Sequence, residues 1–155
     1  MTIVSLQKTA CAAAMLWALG PASPACAQIG IGTWVRTAGP PLPGKMTMTV
    51  EACCNGGLRL IYRMSGSDQT MVVESALDGR EVPVLVGSKP SGETMAIKRV
   101  DAHHISGVVK MNGKPFGTSK ATISADGRML TVENDYPSAV GGNPVGKHTE
   151  TWVRQ

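Results

Sequence analysis

The residues equipped for chemistry in this chain are few and scattered. Beyond residue 27 the only cysteines are Cys53 and Cys54, which are adjacent. Neighbours on a strand point to opposite faces, so a bond between them closes a small, strained ring. Three states are open to the pair: that vicinal disulfide, an intermolecular bridge, or one buried and one exposed free thiol, the last being the plainest. Nothing resembles a Cys-x-x-Cys redox pair, and no helix start is at hand to stabilise a thiolate. His103 and His104 part to opposite faces if they lie on a strand, and His148 is far along the chain. Three convergent ligands at a zinc-like spacing are missing, so neither a metal nor a cofactor is expected.

The motifs of common enzymes are also missing. There is no Gly-x-Ser-x-Gly, no phosphate-cradling glycine loop before a helix and no His-Glu-x-x-His. What remains are single ionisable side chains in apolar surroundings. Tyr62, in "LRLIYRM", shares a face with Leu58, Leu60 and Met64, with Arg59 and Arg63 opposite. Arg99 shares a face with Met95 and Ile97, which carries a cation inward unless a bulge turns it out. Glu133 and Glu150 are carboxylates on two further strands. Tyr62, Arg99, Glu133 and Glu150 are therefore the candidate ligand-contacting residues, and no catalytic residue is expected. Met46, Met48, Met64, Met71, Met95, Met111 and Met129 supply much of the apolar bulk, against a single phenylalanine, Phe116. Methionine adapts to varied apolar ligands and also fills irregular cores. Core filling is the expectation here, because a barrel of about eight strands is just filled by its own side chains.

These residues need elements to hold them. Asn55-Gly56-Gly57, Asp78-Gly79-Arg80, Asn112-Gly113-Lys114 and Asp126-Gly127-Arg128 read as hairpin turns, since tight reversals need the positive φ that Gly, Asn and Asp tolerate best. Between them, short runs alternate in polarity as half-buried strands do: Met46, Met48 and Val50 on one face, and Ile105, Gly107, Val109 and Met111 on another. Further strands are predicted near 33–37, 70–77, 82–87, 94–100, 114–124, 129–134 and 147–154. The pattern is all-β, an antiparallel up-and-down meander of about eight to ten strands. Closure into a barrel leaves no edge open to aggregation.

The first residues are of another kind. Lys8 precedes an uncharged apolar run from Ala10 to Leu19, then Gly20-Pro21, then the small residues Ala25-Cys26-Ala27. This is the profile of a signal peptide, predicted as a helix within 1–27 with cleavage before Gln28. The run is about half the length that spans a bilayer. Lipidation at Cys26 is disfavoured by Ser23-Pro24-Ala25, which fits a lipoprotein signal badly. The expectation is a periplasmic or secreted protein with no membrane span and one domain over 28–155. The full chain carries a net charge of +4, with basic residues spread singly. No stripe of cations interleaved with aromatics exists to track a nucleic acid.

Two tryptophans bracket the mature region. Gly32-Thr33-Trp34 near its start resembles the Gly-x-Trp of the first lipocalin strand, and Trp152-Val153-Arg154-Gln155 stands at its end. "GTW", "AIKRVD", "TISADGRMLTVEN" and "WVRQ" together resemble a group of small exported bacterial proteins with a lipocalin-like barrel and no settled function. The resemblance implies that the Trp34 indole plugs one end of the barrel and is covered by Arg154 from the last strand, a cation–π contact of about 0.5 to 2 kcal/mol. Barrel closure and the methionine-rich inner faces, more than the resemblance, point to a non-enzymatic protein holding a small apolar or amphipathic ligand inside the barrel. Two rival functions are a filled barrel that works through its outer surface in the envelope, and a cavity enzyme of the isomerase or cyclase type, which needs two or more ionisable groups converging in one pocket.

Overall fold

The computed structural model describes residues 30–138 and 144–155. The predicted leader helix, the cleavage site and Cys26 lie outside them. Ten antiparallel strands follow one another in chain order: β1 Gly32–Ala38, β2 Met46–Cys53, β3 Gly57–Met64, β4 Thr70–Ser75, β5 Asp78–Val86, β6 Lys89–Arg99, β7 His104–Met111, β8 Lys114–Ile123, β9 Met129–Tyr136 and β10 Gly146–Arg154. Each pairs with its neighbour, and β1 also pairs with β10, so the sheet closes into a barrel. No helix among the described residues is long and apolar enough to cross a membrane.

Alternation along the strands divides the two faces. On β3, Leu58, Leu60, Tyr62 and Met64 face the interior. On the outer face, Arg59 sits across from Glu51 of β2 and Glu74 of β4 and pairs with both, at 4.0 and 3.3 Å. These charges are about half exposed, so the ladder fixes register more than it stabilises. The interior carries the main apolar cluster, in which Trp34, Val73 and Val84 are fully buried. The thinnest seam lies between β4 and β5, joined through Met71 with Val86 and Val72 with Leu85.

Three of the four hairpin signals mark reversals. Asn112 and Gly113 adopt φ of +48° and +79°, as a tight hairpin requires. The fourth, Asp78-Gly79-Arg80, does not turn the chain but opens β5. The reversal comes earlier, at Ala76-Leu77, where Leu77 takes φ +58° and its N–H donates to the Ser75 hydroxyl. Gly79 spends its positive φ on a bulge that shifts the register between Asp78 and Glu81.

Cys53 and Cys54 are disulfide-bonded to each other at the β2–β3 turn. The plain expectation of two free thiols assumed that both lie on a strand. Cys53 is instead the last residue of β2, and Cys54 and Asn55 turn at φ +52° and +53°, which brings the two side chains together.

The ends of the barrel meet as the sequence implied, with Trp34 registered opposite Arg154 and Val35 opposite Val153. The indole is fully buried and its Nε1–H donates to the Gly30 carbonyl at 2.6 Å. The Arg154 guanidinium lies against Gly32, where a Cβ would come within 2.9 Å of Nε. Its seat is thus the backbone of β1, and no cation lies over the indole ring among the described residues.

Candidate functional site

The barrel is not filled. It encloses a cavity of about 370 Å³, the size of a small-molecule site. The core-filling expectation fails because ten strands make a wider barrel than eight. Five methionines, Met46, Met48, Met64, Met71 and Met95, line the space instead of closing it. Met111 packs in a satellite cluster with Val109, Phe116 and Tyr136, and Met129 is turned outward and exposed by the alternation that buries Leu130.

The wall has an apolar part and a polar part. Trp34 closes the end of the barrel at which β1 begins, with Leu58, Leu77, Ile97 and Leu130 around it. Because the strands run alternately up and down, the start of β6 and the end of β9 lie at the opposite end. There Glu93 and Tyr136 join the lining, and Tyr62 of β3, Asn134 of β9 and Glu150 of β10 stand in the same wall. The Tyr62 ring meets the edge of Trp152 at 6.1 Å and 69°. Tyr136 stacks on Phe116 at 5.8 Å and lies 5.4 Å from the His148 ring. It comes close because residue 117 is glycine; a Cβ there would overlap the tyrosine ring.

Burial sets the protonation of these groups. Desolvation, with the negative field of Glu150, pushes the Tyr62 phenol far above the ordinary tyrosine range. The same two causes, in the same order, push Tyr136 up to about 12. Burial also raises the Glu93 carboxyl above the usual carboxylate range. At neutral pH both tyrosines are therefore hydroxyl donors, which suits them to hold a polar group and unsuits them as bases.

The four residues singled out from sequence are distributed as follows. Tyr62 and Glu150 share the cavity. Glu133 stands exposed on the outer face of β9, beside Lys120 and Thr149 in the ladder, because Val132 and Asn134 on either side of it face inward. Arg99 keeps the inward phase, since β6 pairs with β7 without a bulge and Arg99 sits opposite Ile105. It is nevertheless the last residue of β6, and it is not part of the cavity wall; its Nε is buried without a protein partner.

The buried cation near the cavity is Arg36. Its guanidinium pairs with Glu150 at 3.4 Å and donates to the Pro40 carbonyl at 2.8 Å. Glu150 lines the cavity and Arg36 does not, so the open space meets the carboxylate side of the pair. Arg36, Glu93, Asn134 and Tyr136 were all within reach of simple alternation. Arg36 is two residues from Trp34, and Glu93 is two before Met95, on a strand that begins earlier than expected. Among the described residues no group of three His, Cys, Asp or Glu could hold a metal ion.

No family model and no curated protein matches the chain. Solved structures do. The wild-type fluorescent protein UnaG matches with a TM-score of 0.59 at 13% identity, over 81% of this chain and 96% of that one. A mutant of the same fluorescent protein gives 0.60 at 13% identity, over 81% and 95%. Echinococcus granulosus fatty-acid-binding protein 1 gives 0.59 at 10% identity, over 80% and 96%. The chain thus has the closed ten-stranded barrel architecture of these proteins.

Proposed function

We propose that this protein is an exported, non-enzymatic carrier or receptor that holds one small amphipathic molecule inside its barrel. The observation that carries the reading is the cavity of about 370 Å³, with Trp34, Leu58, Leu77, Ile97 and Leu130 at its apolar end and Tyr62, Tyr136, Glu93 and Glu150, set among methionines, toward the other. Burying an alkyl chain there is worth about 0.8 kcal/mol per methylene before the costs of association. The likeness to a fatty-acid-binding protein supports this use of the interior. Export is supported by the leader profile of residues 1–27.

Ionisable groups do converge in the cavity, which is what a cavity enzyme needs. The raised phenols count against a tyrosine base in such an enzyme, because a phenol that stays protonated near neutrality has no free site for a proton. Native mass spectrometry of the mature protein from its own compartment, followed by organic extraction, tests the binding reading. A bound mass of a few hundred daltons is expected in the size class of such sites. Bare protein that also ignores apolar probes would remove the reading's support.

A further inference from the structure

Among the described residues the cavity wall contains two acidic side chains, Glu93 and Glu150, and no Lys, Arg or His. The nearby cations do not alter this. Arg36 lies behind Glu150 and is already paired with it. Arg99 closes β6 outside the wall, and His148 packs its ring on Tyr136 without entering the wall. The remaining polar members, Tyr62, Tyr136, Asn134 and Ser119, are neutral.

From this wall, and resting on the ligand-holding function proposed above, we infer the head group of the ligand: a protonated amine at the end of an apolar chain, seated at the carboxylates of Glu93 and Glu150. Hydrogen bonding alone would not choose it. The Tyr62 and Tyr136 hydroxyls and the Trp152 Nε1–H, which is buried without a protein partner, would serve a carboxylate head as readily. Charge decides. A carboxylate head would enter a weakly solvated space lined by two acidic side chains, of which only Glu150 has a cation beside it, whereas an ammonium brings the counter-charge that Glu93 lacks. Its three N–H donors match carboxylate, amide and hydroxyl oxygens there. The two carboxylates act on common ground, since each adds to the upward push on both Tyr62 and Tyr136. The field of an ammonium beside it would push the Glu93 carboxyl back down, against the burial that raises it.

Three amphiphiles with one chain and different heads test the inference: dodecylammonium, dodecanol and dodecanoate, each below its micelle concentration, displacing the neutral dye Nile red from the mature protein. The amine is expected to displace the dye at about a tenfold or more lower concentration than the alcohol, with dodecanoate weakest. Glu93→Gln narrows the gap by weakening the amine. Glu150→Gln leaves the Arg36 cation uncompensated and moves the preference toward dodecanoate. Tightest binding of dodecanoate to the native protein, or equal binding of all three, overturns the head-group inference while leaving the ligand-holding function standing. Failure of all three to displace the dye would overturn both.

Discussion

Replacing Arg36 by methionine removes the guanidinium that pairs with Glu150 and keeps most of the side chain's bulk. The Arg36 side chain is 8% exposed and that of Glu150 20%, so the pair is largely withdrawn from water. Breaking a buried pair by deleting one partner costs about 3 to 5 kcal/mol, and the residual access of Glu150 to water lowers this to about 2 to 3 kcal/mol. Loss of the hydrogen bond to Pro40 adds about 1 kcal/mol. Urea unfolding of R36M should therefore show a loss of about 3 to 4 kcal/mol with little change in slope. The penalty belongs to the orphaned carboxylate, so removing that as well, in R36M with Glu150→Leu, should restore at least half of it. A double variant no more stable than R36M would refute the argument that the pair is buried and compensated.

Two other outcomes are open to measurement. Tyr62 and Tyr136 are the only tyrosines in the chain, so phenolate absorbance reports them cleanly: both should stay protonated past pH 10, Tyr136 titrating near 12 and Tyr62 later still. Because the unfolded phenols ionise first, stability should be intact below pH 10 and fall as pH rises above it, by up to about 1.4 kcal/mol per pH unit for each tyrosine; an ordinary titration midpoint near 10 for both would contradict their burial. The Cys53–Cys54 bond encloses no intervening chain, so it restricts the unfolded state little, and replacing both by serine should change stability by less than about 1 kcal/mol; thiol alkylation with and without reductant checks the bond itself.

How much of this was legible beforehand depends on how local the signal is. Period-two alternation placed Leu58, Leu60, Tyr62 and Met64 inside and Arg59 outside, and the Asn-Gly turn at Asn112-Gly113 was readable because φ is a property of two residues. Barrel closure was expected because it leaves no strand edge unpaired, and the family resemblance implied that Trp34 and Arg154 meet; they are registered partners. The misreadings come from features that alternation does not carry. Gly79 offers the same positive φ to a bulge as to a turn, and only tertiary pairing chooses. Whether methionines fill a space or line it depends on strand number, which sets the radius. Glu133 was misplaced by ignoring its neighbours Val132 and Asn134, whereas Arg36, two residues from the plug tryptophan, was passed over because a charged residue near a strand end reads as solvated until its partner on β10 is known. A vicinal disulfide needs the chain to leave the strand between the two cysteines, which the Cys54 and Asn55 dihedrals do and their residue types do not announce.

The central claim is that the interior of the barrel, and not its surface, receives the ligand. Trp34 and Trp152 both line that interior and are the only tryptophans beyond residue 27, so energy transfer from them to bound Nile red reports occupancy of the cavity directly. Transfer that saturates at one dye per barrel and disappears when Ala121 in the wall is enlarged to phenylalanine is the predicted result. Absence of transfer, or transfer that survives Ala121→Phe in a folded protein, would contradict the account.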